Sequence, residues 1–163
     1  MAKGNKIIVT ANPKGNRLSV VIDGTPKPGT IMTIKPGSSF VQGRPEYEAA
    51  GTSTGLMSAD GDRIPIAVLD MDQKGGRPND EAYVDGEVAE VYFPLPGDEL
   101  NVLKLDVAGT GDDFAVGDKL IVDDGTGKVL ITAGSPESEP FLSLEVVTDP
   151  TADQLVHCQY TGY

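Results

Sequence analysis

Short apolar runs, each closed by glycine or proline, are the dominant pattern of this sequence. Several of them alternate apolar and polar positions with a period of two, which is typical of strands that bury one face. The 20 glycines and 12 prolines supply the turns between them. The pattern contains no clear helix, and only residues 150–155 could form a single turn. Strands are predicted at residues 7–10, 18–22, 30–34, 64–69, 86–92, 100–107, 119–122, 129–132, 141–147 and 155–160.

Three of the turns share one order of residue types: a glycine, a polar residue, any residue and then an apolar one. We expect the chain to turn at the glycine, the polar side chain to cap the turn and the apolar residue to point inward. The uneven spacing of these turns excludes a solenoid and favours equivalent strand entries of a small barrel. The three segments are Gly29–Met32, Gly97–Leu100 and Gly117–Leu120.

The strand pattern predicts an all-β protein: a small β-barrel, a β-tulip or a sandwich of short antiparallel strands. The runs at 7–10 and 18–22 are separated by a turn-like Pro13–Gly15 segment, so they are expected to form a hairpin-like, extended N-terminal arm. Residues 1–35 are assigned to this arm and the first strands. Residues 36–163 are assigned to the barrel body, with long loops at 36–62 and 72–80.

Charge is segregated along the chain. Residues 1–35 hold six basic residues and one acidic residue, a net charge of +5, whereas the whole chain carries −12, so the remainder carries −17. A strongly acidic protein repels polyphosphate, which argues against a nucleic-acid partner. No run approaches the ~20 apolar residues of a membrane span, and no apolar segment follows the first lysines as in a secretory signal.

The residues that usually carry catalysis are scarce. His157 is the single histidine and directly precedes the single cysteine, Cys158, so in a strand the two side chains point to opposite faces and cannot act together. Cys158 is expected to be a small buried hydrophobe. The acidic pairs at 60–62 and 70–72 do not continue into a calcium-binding loop. We therefore expect no enzyme activity and assign no catalytic, metal-binding or cofactor-binding residue.

Several segments together resemble the capsid decoration, or cement, proteins of tailed bacteriophages. They are the basic lead-in and the segments Lys27–Ile34, Ile66–Leu69, Tyr83–Val91 and Val116–Leu120. The resemblance covers the style of about the whole chain rather than one diagnostic motif. It implies a non-enzymatic β-barrel or β-tulip in the virion, assembled in the host cytoplasm. It further implies a homotrimer bound to the major capsid protein on the outer capsid surface.

The basic lead-in is the candidate interface. An extended strand can add to the sheet edge of a neighbouring subunit, and many weak contacts of this kind stabilise a shell together. The alternative is that both strands belong to the domain's own sheet. Two other functions stay open: a carbohydrate-binding or hydrolytic surface module, and a tail-tube or fibre subunit. The candidate interface residues are Lys3, Lys6, Ile7, Ile8, Val9, Lys14, Arg17, Leu18 and Val20.

Overall fold

The computed structural model describes residues 6–9, 13–51, 65–71, 80–105, 113–123, 125–131, 140–148 and 154–162. These residues form strands and turns and no helix, which confirms the all-β prediction. The strands are β1 (Asn16–Ile22), β2 (Ile31–Ile34), β3 (Glu46–Ala49), β4 (Ala67–Leu69), β5 (Val88–Phe93), β6 (Glu99–Leu103), β7 (Lys119–Val122), β8 (Val129–Leu130), β9 (Phe141–Ser143) and β10 (Leu155–Tyr160).

The first five strands close into a barrel in the order β1-β3-β2-β4-β5, which confirms the prediction of a small β-barrel. The longest ladder is antiparallel and joins β1 to β5, from Asn16 opposite Phe93 to Val21 opposite Val88. Alternate residues of the strands point inward and fill the barrel with aliphatic and aromatic side chains. The interior cluster comprises Val20, Ile22, Met32, Tyr47, Ala67, Leu69, Tyr83, Ala89 and Val91, with Phe93 packed against it.

The other five strands form a second, antiparallel sheet in the order β6-β10-β9-β7-β8. This sheet curls, because a bridge between Lys104 and Val129 brings the ends of its first and last strands together. A larger apolar cluster joins the sheet to the barrel. Ile31, Val68 and Tyr92 enter this cluster from the barrel strands, and Leu100 and Phe141 are among those that enter it from the sheet.

The shared turns behave as their sequence predicts. Gly29, Gly97 and Gly117 all have positive φ, between 90° and 95°, as the third position of a type II turn requires. The residues that follow cap the turns. Thr30 Oγ1 donates to the carbonyl oxygen of Lys27 at 2.7 Å, and the carboxylates of Asp98 and Asp118 accept from the N–H groups of Leu95 and Ala115 at 2.9 and 2.7 Å. The inward residues Met32, Leu100 and Leu120 are fully buried.

A fourth turn of the same kind, which the sequence reasoning missed, precedes β5. Gly86 has φ 79°, and Glu87 accepts a hydrogen bond from the N–H of Val84 at 2.8 Å. The side chain three positions after the glycine, Ala89, points into the barrel. The same local device therefore starts strands in the barrel and in the second sheet, whereas the sequence reasoning assigned all its instances to one barrel.

The tip of the β7–β8 hairpin, which joins the strands predicted at 119–122 and 129–132, fastens the second sheet to the barrel. The N–H of Ile31 donates to the carbonyl oxygen of Gly127 at 2.7 Å. The N–H of Gly125 donates to the carbonyl oxygen of Ala50 at 3.0 Å. Gly127 has φ 62° and lies so close to the barrel that an added Cβ would overlap the carbonyl oxygen of Ile31. Only glycine fits at this junction.

Three expectations need correction. The hairpin predicted between residues 7–10 and 18–22 is wrong, because Ile8 bridges to Leu100 of β6 whereas β1 pairs with β3 and β5. The segment 36–62 is not one long loop, since β3 lies within it. The strands are not all antiparallel either, because β1 and β3 run parallel, with Val21 opposite Glu46. The barrel therefore takes strands from both sides of the boundary drawn at residue 35.

Two further expectations fall mainly outside the described residues. The loop predicted at 72–80 is described only at Asp80, and the turn predicted at 150–155 only from residue 154 onward.

Candidate docking surface

The predicted interface residues divide between the surface and the core. Ile7 and Val20 are fully buried, and Ile8 is half-buried. Lys3 lies outside the described residues. The exposed members are Lys6, Val9, Lys14, Arg17 and Leu18.

Residues 6–9 lie along the edge of β6 as a strap. Val9 donates its N–H to the carbonyl oxygen of Glu99 at 2.9 Å, and Asn101 donates its N–H to that of Ile7 at 2.7 Å. The side-chain amide of Asn101 also donates to the carbonyl oxygen of Lys6 at 2.5 Å. Main-chain pairing of this kind is what the sequence reasoning expected the lead-in to offer a neighbour. In the single chain, residues 6–9 form this main-chain pairing with the second sheet of the same molecule.

The chain just before β1 is held by a buried carboxylate. Asp98 is fully buried, and its Oδ2 accepts from the Tyr92 hydroxyl at 2.6 Å and from the Leu95 N–H at 2.9 Å. Its Oδ1 accepts from the N–H of Lys14 at 3.3 Å, and Gly15 donates its N–H to the Tyr92 hydroxyl at 2.8 Å. The lead-in is therefore fixed to the junction between the two sheets.

These hydrogen bonds also shift proton affinities. Burial acts to raise the pKa of Asp98, but the hydrogen bonds from Tyr92 and from neighbouring backbone N–H groups outweigh it and hold that pKa below its ordinary value. Burial, followed by the hydrogen bond to the Asp98 carboxylate, raises the pKa of Tyr92 to about 12. The pair therefore consists of an ionised carboxylate and a neutral phenol at neutral pH.

Two of the basic residues in the 1–35 segment contact acidic groups of the same chain. The Arg17 guanidinium lies 3.2 Å from Oδ2 of Asp70, a buried carboxylate. The Lys35 ammonium lies 2.8 Å from Asp23 and 3.4 Å from Glu46. Part of the positive charge that the sequence assigned to an interface is therefore already paired within the molecule.

The arrangement around Asp70 differs from that around Asp98. Burial raises the pKa of Asp70, and the hydrogen bond from the Met71 N–H and the charge of Arg17 offset this only in part. Burial therefore disfavours the ionised form of Asp70, whereas the surroundings of Asp98 stabilise its ionised form.

The most exposed large apolar side chain of the described residues lies outside the predicted interface. Phe40 is 72% exposed and precedes a two-residue hairpin in which Val41 and Arg44 exchange backbone hydrogen bonds of 2.9 Å. We call residues 36–45 the finger. Its base is fixed to β1, because Arg44 Nε donates to Ser19 Oγ at 3.0 Å and Val21 donates its N–H to the carbonyl oxygen of Pro45 at 3.0 Å. Sequence reasoning placed Phe40 within the predicted loop at 36–62 and assigned it no role. The signal for its exposure was the neighbouring Gln42-Gly43 turn.

The two residues considered for catalysis, His157 and Cys158, are neighbours on β10. The His157 ring is about one-third exposed, with Nε2 3.0 Å from a carboxylate oxygen of Glu99, and Cys158 is fully buried as predicted. In the parts of the chain that the structure describes, no three His, Cys, Asp or Glu side chains form a group that could hold a metal ion. Nor do those parts contain a helix with the length and apolar character of a membrane span.

The fold thus defines a class: a closed five-stranded barrel fastened to a curled five-stranded sheet. A solved structure with a similar fold is the head fiber gp8.5 N base of bacteriophage phi29. The two align with a TM-score of 0.53 and 14% sequence identity, over 90% of this chain and 94% of that one. At this identity the likeness shows the fold alone. Neither a family model nor a curated protein matches the sequence.

Proposed function

We propose that this protein is a structural component of a phage head. The single observation that carries the proposal is the shared fold with a phage head fibre base, over nearly the whole length of both chains. The sequence resemblance to capsid decoration proteins points to the same particle from independent evidence. The role requires no reaction, which agrees with a sequence that supplies one histidine and one cysteine in opposed strand positions.

Within that role, we propose a decoration protein that binds the outer surface of the shell as a homotrimer and bridges neighbouring major capsid proteins. The exposed lysines of the lead-in, Lys6 and Lys14, are its candidate contacts, since they are charges on a segment that the strap and the Asp98 hydrogen bonds hold in place. Neither nucleic acid nor membrane is a partner in this proposal. The net charge of −12 supports high solubility at high copy number.

The experiment is co-sedimentation of the purified protein with undecorated phage shells. We expect saturable binding and higher heat resistance of the decorated shells. Lys6→Glu and Lys14→Glu are expected to weaken binding several-fold and to reduce its salt dependence, because rim charges act mainly on association. Lys119→Glu makes the same charge change on the exposed start of β7 and serves as the matched control. If the wild-type protein stays in the supernatant when the shells sediment, the proposal is contradicted.

A fibre base is the second candidate, and it is favoured by the structural neighbour, which is the base of a phage head fiber. A base of this kind would occupy a few positions on the shell and carry a fibre, whereas a decoration protein would cover a repeated lattice position. Electron microscopy of reconstituted shells separates the two, through the number of occupied positions and the presence or absence of a projecting fibre.

A further inference from the structure

The strap, residues 6–9, closes one edge of the second sheet. Strand β6 is the first strand in that sheet and pairs with β10 on one side only. On its other side, the carbonyl oxygen of Glu99 and the N–H of Asn101 are bonded to the strap. The N–H of Leu103 donates instead to the barrel side, at the carbonyl oxygen of Gly29, 2.9 Å away. Because the strap precedes every barrel strand in the sequence, it can leave β6 without breaking a strand pair of the barrel.

The strap fits this edge through its side chains as well as its backbone. Ile7 is fully buried in the apolar cluster between the sheets, and Ile8 packs against the same cluster and bridges to Leu100. Removal of the strap would uncover two main-chain groups of β6 and the space that Ile7 fills. An uncovered strand edge is a template for pairing with another chain. The segment that the structure shows to match this edge is the strap itself, so the strap of another copy would match it equally well.

The strap is joined to the barrel through residues 10–13. In the single chain, the two ends of this connection are bonded to adjacent residues. Val9 donates its N–H to the carbonyl oxygen of Glu99, and Lys14 donates its own to the carboxylate of Asp98. The five Cα–Cα steps from Val9 to Lys14 span about 17 Å at full extension. The proline that ends the connection favours extended backbone at the residue before it. A copy whose β6 begins within that distance of Lys14 is therefore within reach of the strap.

We propose that associated copies exchange their straps, so that residues 6–9 of one copy pair with β6 of the next. The inference rests on the self-association in the proposed function and names the contact that carries it. Exchange of an identical element reuses a contact that the single chain already makes, so it needs no new complementary surface. This matters for copies with a net charge of −12, which repel one another over most of their surface. A contact passed from each copy to the next closes into a ring, such as the proposed trimer.

Protein concentration selects between the closed and the exchanged arrangement. Within one copy, the connection of residues 10–13 sets the effective concentration of the strap at its own β6, and this value does not change on dilution. Pairing with another copy gains as the concentration of copies rises. The dilute protein therefore keeps the closed arrangement of the single chain, whereas copies at neighbouring positions of a shell favour exchange.

Paired cysteines test which copy supplies the strap. Val9 and Glu99 lie opposite each other in the strap pairing. Directly opposed residues of an antiparallel pair have Cα atoms about 4.5–5.5 Å apart, within the range of a disulfide. Val9 is exposed and Glu99 is half-buried, so Val9→Cys and Glu99→Cys leave the core unchanged, and Cys158 stays fully buried in every variant. The double variant is oxidised at several protein concentrations, and its covalent mass is measured under denaturing, non-reducing conditions.

At high dilution we expect the covalent mass of one chain, and where the wild type associates we expect most chains in a product of three. Val9→Cys alone and Glu99→Cys alone are the controls, because one accessible thiol can link at most two chains. A product of one or two chains from the associated protein, thiols that stay free at both positions, or a wild type that is monomeric at every concentration would overturn the exchange. If the double variant fails to fold, Ile8→Cys and Leu100→Cys supply the next opposed pair.

Shell binding is scored separately, by co-sedimentation of the wild type. A protein that binds shells but gives only the single-chain product when associated would overturn the exchange and leave the decoration role intact. A protein that gives the three-chain product and ignores shells would support the exchange and contradict the decoration role.

Discussion

The Tyr92 hydroxyl donates a 2.6 Å hydrogen bond to Oδ2 of Asp98, and both side chains are buried. Tyr92 belongs to β5 of the barrel, whereas Asp98 closes the turn that leads into β6 of the second sheet. The bond therefore crosses the junction between the two halves of the fold. The same pair holds the backbone N–H groups of Lys14 and Gly15, so it also fixes the lead-in.

Asp98→Asn is expected to lower the free energy of unfolding by about 2 kcal/mol, because hydrogen bonds to a buried charged group contribute more than neutral ones. Tyr92→Phe is expected to cost about 1 kcal/mol. Urea denaturation at pH 7 measures both. Asp118→Asn is the matched control, since Asp118 caps the equivalent turn before β7 from a half-exposed position. Equal losses of unfolding free energy at positions 98 and 118 would contradict a contribution of Asp98 beyond capping its turn.

The Asp98 contribution is expected to depend on pH. Because the pKa of Asp98 is lowered in the folded protein, folding favours its ionised form. The stabilisation is fully present above the ordinary carboxyl pKa of about 4 and is lost as the pH falls through the lower pKa of the folded state. The difference in unfolding free energy between wild type and Asp98→Asn should therefore shrink in acid. A difference that stays constant down to pH 3 would contradict this.

Asp70 is expected to behave with the opposite sign. Its pKa is raised in the folded protein, mainly by burial, so folding favours its protonated form. Stability from this group is present below the ordinary carboxyl pKa and is lost as the pH rises through the raised value. Asp70→Asn is therefore expected to unfold at the wild-type temperature or above it at pH 7. A loss in melting temperature as large as that of Asp98→Asn would refute the expectation.

Gly127→Ala and Gly125→Ala separate steric fit from backbone conformation. Both glycines lie in the β7–β8 hairpin at positive φ, so each substitution incurs about 1 kcal/mol of backbone strain. Only at position 127 does the added Cβ meet the barrel, at Ile31 and Thr30, whereas position 125 has open space. Gly127→Ala is expected to cost a further 1–3 kcal/mol in thermal or urea unfolding, the usual range for overpacking. Similar losses in both variants would argue against the close approach.

Ile7→Ala and Val9→Ala test whether the strap is part of the core. Ile7 is fully buried in the cluster between the two sheets, and Val9 is 37% exposed. Ile7→Ala is expected to lower the free energy of unfolding by roughly 2–4 kcal/mol, as for other truncations of buried aliphatic side chains. Val9→Ala is expected to change it by less than about 0.5 kcal/mol. A strap that serves only as an intersubunit arm would make both substitutions neutral in the monomer.

Much of the secondary structure could be predicted because its signals are local. The apolar runs at 119–122 and 129–132, with the Asp-Gly-Thr-Gly turn between them, predicted the two strands that pair as the β7–β8 hairpin. The turn at Gly97 was likewise specified by neighbours, with Pro96 before it and the capping Asp98 after it. Burial of Cys158 followed from its place in a strand-like run. Each of these features depends on residues within a few positions of one another.

The candidate site was less predictable, because it depends on which distant residues meet. Ile8 and Leu18 look alike in sequence, yet the first pairs with the second sheet and the second with the barrel. Strand β3 was not predicted, because Glu46 and Glu48 make its sequence polar. Its place as a strand depends on pairing with β1 on one side and β2 on the other.

Short-range sequence signals are enough to establish that the chain forms short strands, that glycines turn it at particular positions and that its charges are segregated. The assembled fold was needed to establish that residues 6–9 pair with the second sheet of the same chain, that the barrel closes through a parallel contact and that Phe40 remains in solvent. The physical reason is range: turn geometry and side-chain alternation act between near neighbours, whereas the partner of a strand edge is selected by closure of the whole core.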